Sequence, residues 1–158
     1  MRPSPIDVYE TPPDSGRWTN LQQKQAEQLG YGTMLCRSAR LDEKRFVTAL
    51  ITLSQAIEHS QVQFYFNDNG KVVGYVCWGR LSPDVELRLL RGNAELHISE
   101  WNEGEVFWII DLVAPFGHLR RILSMFSKTI GGNAEIVRYV RVTSKGRRIA
   151  RSIIRHGG

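Results

Sequence analysis

The sequence has few of the residues on which small metal-bound or disulfide-rich proteins depend. Its 158 residues include two cysteines, Cys36 and Cys77, and four histidines, and the cysteines lack metal-ligand spacing. A chain of this length buries roughly 70% of its unfolded surface and needs no cross-links to fold. It contains no apolar run of the roughly 18 residues that a membrane-spanning helix requires, and no signal-peptide pattern. These absences predict a single cytoplasmic domain with reduced thiols.

The sequence motifs of several enzyme classes are missing as well. No phosphate-binding P-loop, Gly-rich dinucleotide fingerprint, G-x-S-x-G nucleophile turn or H-E-x-x-H zinc motif occurs. The sequence therefore disfavours phosphoryl transfer, hydride transfer and zinc hydrolysis. We expect no metal and no bound cofactor.

Positive charge is concentrated at the C-terminal end. The formal net charge is +5, and seven of the 21 basic residues, but no acidic one, follow Glu135. The preceding part holds 14 basic and 16 acidic residues, a net charge of −2. Such a segment can attract nucleic acid, an acidic protein or anionic lipid, or it can be a solvated tail. Nucleic acid is disfavoured because the basic run after Thr143 lacks aromatic residues and no helix-turn-helix or RNA-binding pattern occurs.

Composition and hydrophobic periodicity divide the chain into three segments. Residues 1–18 hold four of the six prolines and are predicted to form an extended arm. Residues 19–144 contain the periodic segments of an α+β domain. Residues 145–158 form a basic segment, for which a short helix and a frayed tail are both open.

Within the domain, spacing of apolar residues and turn residues predicts eight elements. Gly30 is expected to end the first helix, and Asp42 or a neighbour to cap the second. The run Asn67-Asp68-Asn69-Gly70 predicts a hairpin turn, and an apolar run before Pro115 predicts a central strand covered on both faces. The predicted helices are 21–30, 42–58, 83–92 and 118–132, and the predicted strands are 61–67, 71–78, 106–115 and 134–142.

Two residues around the central strand are candidates for chemistry. Asp111 follows an apolar run, where a carboxylate is costly unless it is hydrogen-bonded or paired. It can either satisfy loop backbone at the end of the strand or have a catalytic role. His118 stands at the start of the next helix, where a neutral imidazole could act as a base or simply lie at the surface. Cys77 fits a small core residue better than a nucleophile.

Three blocks of sequence resemble one known family, the bacterial lysine acyltransferases that activate RTX toxins. The blocks are GYVCWGRLS at 74–82, EWNEGEVFWIIDLVAPFG at 100–117 and VRYVRV at 137–142. The family has closely similar Y-x-x-W-x-x-L-S, W-x-I-D-x-x-A-P-F-G and R-x-x-R-V blocks in the same order. The resemblance extends over about residues 29 to 145.

The resemblance implies a fold similar to the GNAT acyltransferases, with a mostly antiparallel central sheet flanked by helices. It also implies a cytoplasmic enzyme, often a homodimer, that moves a fatty acyl chain from acyl carrier protein to an internal lysine of a protoxin. Acyl carrier protein is acidic. It would therefore be a fitting partner for the basic C-terminal segment and for Arg120, Arg121, Arg138 and Arg141.

The family's two essential residues fall on Asp111 and Asp42. The essential Asp aligns with Asp111, but the family's essential His, in an S-x-L-H stretch, aligns with Asp42. Three explanations are open: Asp42 acts as a carboxylate base, another histidine such as His118 takes over, or the protein binds its partners without turnover. A carboxylate base at this position would need a pKa raised above its ordinary value near 4.

Overall fold

The computed structural model describes residues 19–92, 95–130, 136–142 and 148–154. The predicted arm, residues 1–18, lies outside these ranges. The helices are α1 (Asn20–Ser38), α2 (Glu43–Glu58), α3 (Pro83–Leu90), a short 3₁₀ helix (Ile98–Trp101) and α4 (Leu119–Lys128). The strands are β1 (Val62–Phe66), β2 (Val72–Leu81), β3 (Val106–Val113), β4 (Ile136–Val142) and β5 (Arg148–Ile154).

The first helix begins as expected but runs past the glycine that was expected to end it. Thr19 caps α1 and forms a capping box with Gln22, so the first orphan N–H groups are satisfied. The prediction that the helix ends at Gly30 is wrong, because α1 continues to Ser38. Glycine lowers helix propensity by only about 1 kcal/mol. Burial of apolar residues in the following turns, such as Leu35, outweighs that cost.

The five strands form one sheet in the order β1-β2-β3-β4-β5, so β3 is central. Three of the four pairings are antiparallel, and β3 with β4 is parallel. A core cluster on the first face of the sheet joins residues of α1, α2 and α3 to the strands. A second cluster joins residues of α4 to the other, second face. The α+β fold, the mostly antiparallel sheet and the two-sided burial of the central strand are confirmed.

The end of the chain corrects one expectation. Residues 148–154 were expected to be a helix or a frayed tail, but they form β5 and pair with all seven residues of β4. β4 would otherwise be an edge strand with unpaired peptide groups, and β5 supplies their hydrogen-bond partners. The run RIARSII also contains three isoleucines, which favour a strand. Its arginines are typical of an exposed basic segment and so obscure this β-strand pattern.

A set of glycine substitutions tests this packing. Gly30 is exposed in the middle of α1 with open space around it, so Gly30→Ala should stabilise the protein by about 0.5–1 kcal/mol. A Cβ at Gly74 would lie 2.5 Å from Ile122 Cδ1 and 2.9 Å from the Val113 carbonyl oxygen, so Gly74→Ala should destabilise it by about 1–3 kcal/mol. Urea unfolding measures both. Destabilisation by Gly30→Ala would contradict the continuous helix.

Candidate functional site

The candidate site is built around Asp111, which lies near the end of β3. Cys77 of β2 pairs with Asp111 and Trp78 pairs with Ile109, so Ile110 is an extra residue on β3. Such a β-bulge interrupts the alternation of side chains between the two faces. Asp111 therefore points to the first face, beneath α1 and α2, whereas regular alternation would send it to the second face.

A chain of side chains from the first face reaches Asp111. The Tyr75 hydroxyl donates a hydrogen bond to Asp111 Oδ2 at 3.2 Å, and Cys36 Sγ lies 3.4 Å from the same hydroxyl. Tyr75 and Cys36 have no exposed surface. Asp111 as a whole residue is partly exposed, but its carboxyl group lies in a buried environment.

The environment of Asp111 changes its acidity. Burial raises the pKa of this carboxyl from 3.8 to about 6, although the hydrogen bond from Tyr75, the backbone N–H of Leu112 and the charge of Arg45 each lower it. A carboxyl with this pKa is largely ionised at neutral pH, yet it holds a proton more readily than an ordinary aspartate. Such a balance suits a group that accepts a proton during a reaction.

The beginning of α2 lies close to this carboxyl. Asp42 is the N-cap of α2, and its Oδ1 accepts the backbone N–H of Arg45 at 2.9 Å. Arg45 is near enough for its charge to lower the pKa of Asp111. The fold therefore places the segment of Asp42 at the Asp111 end of the first face. Asp42 is exposed, and no hydrogen bond joins it to Asp111 within the described residues.

The parallel pairing of β3 with β4 ends before Asp111, and the unpaired stretch beyond it is called the gap. β3 and β4 pair at Phe107 and Trp108 of β3. Both strands continue beyond this point, but residues 109–113 of β3 have no pair in the described part of β4. Peptide groups on that edge of β3 are therefore left without a strand partner, and the gap begins at the bulge that orients Asp111.

Arg138, expected to bind the donor, is part of a side-chain network in the fold. Glu86 Oε1 accepts hydrogen bonds from Arg138 Nη1 at 2.8 Å and from Trp108 Nε1 at 2.6 Å. Glu86 is buried, and two donors compensate the cost of its carboxylate. The network connects α3, β3 and β4 at the point where the parallel pair forms.

The other predicted residues lie away from Asp111. His118 is the N-cap residue of α4, makes no side-chain capping bond, and starts the helix that covers the second face. The structure therefore places His118 and Asp111 on opposite faces. Arg120 and Arg121 are exposed in the first turn of α4. Arg141 lies in β4, and its side chain is outside the described part.

The two cysteines are core residues. Cys36 and Cys77 are free thiols with no exposed surface. Burial raises the pKa of both thiols, so both stay protonated at neutral pH. A thiol nucleophile is therefore not supported, in agreement with the sequence prediction for Cys77.

The described ranges offer neither a metal site nor a membrane-spanning helix. No group of three or more His, Cys, Asp or Glu residues is placed to hold a metal ion. None of the helices there is long and apolar enough to cross a membrane.

Sequence patterns did not identify the residues that surround Asp111. Tyr75 stands in one of the motif blocks, two residues before Cys77 on the same face of β2, but pattern alone gave it no role. Cys36 and Arg45 reach the site from helices far away in sequence. The sequence does contain an Asp in one apolar strand and a Tyr in another, which could have suggested a contact. The register that brings Tyr75 to Asp111 was not visible in the sequence.

The buried Asp111 carboxylate should lower the free energy of unfolding at neutral pH. The folded pKa of Asp111 is about 6 and the ordinary value is 3.8, so the folded state binds the proton more tightly. Stability should therefore fall as pH rises through this range and stay low above it. Replacing the carboxyl in Asp111→Asn should stabilise the protein by about 2 kcal/mol at pH 8 and by almost nothing near pH 4. Urea unfolding at both pH values measures this, and an equal effect at both would contradict the raised pKa.

Comparisons with known proteins agree with these observations. The profile of the RTX toxin acyltransferase family, HlyC, matches residues 21–154. The lysine-acyltransferase RtxC of Vibrio cholerae is 30% identical over 107 residues, which cover 66% of this chain and 70% of RtxC. The leukotoxin-activating lysine-acyltransferase LktC of a Pasteurella haemolytica-like species is 32% identical over 95 residues, 60% of this chain and 57% of LktC.

A third relative matches over a shorter stretch. The RTX-II toxin-activating lysine-acyltransferase ApxIIC of Actinobacillus pleuropneumoniae is 39% identical over 62 residues, which cover 39% of this chain and 38% of ApxIIC. The family profile covers most of the chain, including α1, the strand that carries Asp111, and β5. The chain belongs to the RTX toxin acyltransferase family.

Proposed function

We propose that this protein transfers a fatty acyl group from acyl carrier protein to the ε-amine of an internal lysine in an RTX-toxin-like partner protein. The observation that carries the proposal is the Asp111 carboxyl, which has a raised pKa and belongs to the strand beside the gap between β3 and β4. The names of three relatives, all lysine-acyltransferases, support the same reaction class.

The reaction needs a group that removes a proton from lysine. The ε-amine is an ammonium near neutral pH and cannot attack a thioester until it loses a proton. In the proposal, the ammonium first loses one proton to solvent, and the Asp111 carboxylate accepts a second proton from the nitrogen as the neutral amine attacks the thioester carbonyl. The N–C bond forms, the C–S bond breaks, and Asp111 passes its proton to the departing thiolate. A pKa of about 6 makes Asp111 a stronger base than an ordinary aspartate.

The gap between β3 and β4 suits the arm of an acyl carrier protein. The phosphopantetheine arm contains two amide groups, which can hydrogen-bond to the free edge of a strand. Residues 109–113 of β3 provide such an edge, next to Asp111. An arm seated there would bring its terminal thioester to the carboxyl. Acyl carrier protein is a substrate in this scheme, and no other cofactor is needed.

The proposal assigns different parts to the predicted residues. Asp42 caps α2 and so fixes the backbone of Arg45, whose charge acts on Asp111. Arg120 and Arg121, exposed on α4, receive the acidic carrier protein, with Arg141 of β4 as a further candidate. Because Glu86 binds Arg138, we assign Arg138 to the fold instead of the donor site.

A second candidate function is binding of the carrier or the toxin-like partner without turnover. One observation favours it: the carboxylate at the family's histidine position is used as a helix cap. Asp42 would then act only as a helix cap and take no part in proton transfer. Binding without acyl transfer, and acyl transfer restored by Asp42→His, would identify this alternative.

Acyl transfer itself can be followed by mass spectrometry. The protein is incubated with acyl-loaded carrier protein and an RTX-toxin-like protein, and the toxin-like protein should gain one acyl mass on a lysine. Asp111→Asn keeps the shape of the side chain but removes the base, so the rate should fall at least 100-fold. Asp42→Asn is the matched control, because asparagine caps a helix as well as aspartate does, and it should keep most of the activity. Equal rates for wild type and Asp111→Asn would contradict the proposal.

The carrier-docking surface has its own test. The double substitution Arg120→Gln with Arg121→Gln should raise KM for the acyl carrier protein about 10-fold at low salt, with kcat little changed. The difference should shrink at high salt because surface charges are screened. Lys128→Gln, an exposed charge at the other end of α4, is the control and should leave KM unchanged. The docking site is elsewhere if the double substitution behaves like this control.

A further inference from the structure

The neighbour that Asp111 contacts most directly is the Tyr75 hydroxyl. We infer that Tyr75 is a positioning residue for the reaction, holding the Asp111 carboxylate towards the gap, and that Cys36 holds the Tyr75 hydroxyl in its donating orientation. This inference rests on the proposed function, because it describes how the proposed base is held ready.

The three side chains form a directional chain of hydrogen bonds. An ionised carboxylate can only accept, so the Tyr75 hydroxyl donates its one proton to Asp111 Oδ2, 3.2 Å away. Cys36 Sγ, 3.4 Å from the hydroxyl oxygen, then donates its S–H to Tyr75. If Asp111 takes up a proton on Oδ2, the same three groups can reverse direction without moving. The chain therefore accommodates both protonation states that the reaction needs.

The burial of the chain makes this contact effective. Tyr75 and Cys36 have no exposed surface, so water does not compete for the hydroxyl. The ring of Tyr75 packs against Phe64 with centroids 5.7 Å apart, which fixes the hydroxyl relative to β2. Burial and the nearby Asp111 raise the pKa of Tyr75 far above its ordinary range, so it remains a donor at every working pH.

Each layer around Asp111 contributes an identifiable group. Cys36 comes from α1, Arg45 from α2, and Tyr75 and Cys77 from the neighbouring strand β2. Only Tyr75 contacts the carboxylate with a hydrogen bond from a side chain among the described residues. Arg45 acts through its charge, and Cys77 is a protonated thiol at the paired position. Removing the Tyr75 hydroxyl is therefore the most specific way to change the pKa and the orientation of the Asp111 carboxylate.

The test is the pH dependence of acyl transfer in Tyr75→Phe, which keeps the ring and removes the hydroxyl. Losing a donor to the carboxylate raises its pKa. The acid limb of the kcat/KM profile should therefore move up by about one pH unit. The rate should fall about 5-fold at pH 6, where the wild-type carboxyl is about half ionised, and approach that of wild type at pH 9. KM for the acyl carrier protein should not change.

Two further variants separate positioning from stability. Cys36→Ala keeps the bond between Tyr75 and Asp111 but removes its support, so the acid limb should shift in the same direction by less than half as much. Ile122→Val shortens a buried side chain in the core cluster on the second face and lowers stability, yet it should leave the acid limb in place. A limb that moves equally in Ile122→Val and Tyr75→Phe would overturn the inference in favour of a purely structural role.

The titration of Asp111 can also be followed without any substrate. Carbon NMR of the side-chain carboxyl should show a higher pKa in Tyr75→Phe than in the wild type. A shifted pKa in a protein that transfers no acyl group would overturn the proposed function and leave the contact between Tyr75 and Asp111 established. Active protein whose carboxyl titration and acid limb are both unchanged by Tyr75→Phe would overturn the inference alone.

Discussion

The structure around the candidate site depends on how one carboxylate is accommodated near a hydrophobic core. Asp111 lies in the central strand, between two apolar clusters, where the loss of water disfavours its charge. The hydrogen bond from Tyr75 and the N–H of Leu112 offset part of this cost. The remaining penalty raises the pKa to about 6. Under the proposed function, the stability lost to this penalty would serve the acceptance of a proton.

Two irregularities of the sheet determine the environment of this carboxylate. The bulge at Ile110 turns Asp111 to the face that carries Tyr75, Cys36 and the start of α2. The early separation of β3 and β4 leaves strand edge free beside it. The network of Glu86 with Trp108 and Arg138 holds the parallel pair together just before that separation.

The sequence resemblance places Asp42 at the position of the family's essential histidine, and the structure shows what Asp42 does locally. It caps α2, and its carboxylate accepts the backbone N–H of Arg45. A histidine accepts a backbone N–H less readily than an aspartate does. The aspartate therefore strengthens the beginning of the helix whose Arg45 lowers the pKa of Asp111. Under the proposed function, proton transfer would fall to Asp111 and its hydrogen-bond partners.

The sequence by itself determined the α+β class and the central apolar strand, and it indicated Asp111 as a candidate, because periodicity, turn residues and an acid in an apolar run are local signals. It also determined the cap at Asp42, which depends on residues one turn apart. Tertiary structure alone decided that α1 continues through Gly30, that the basic end forms β5, and that His118 and Asp111 lie on opposite faces. These outcomes depend on packing and strand register between residues far apart in the chain, which no local pattern records.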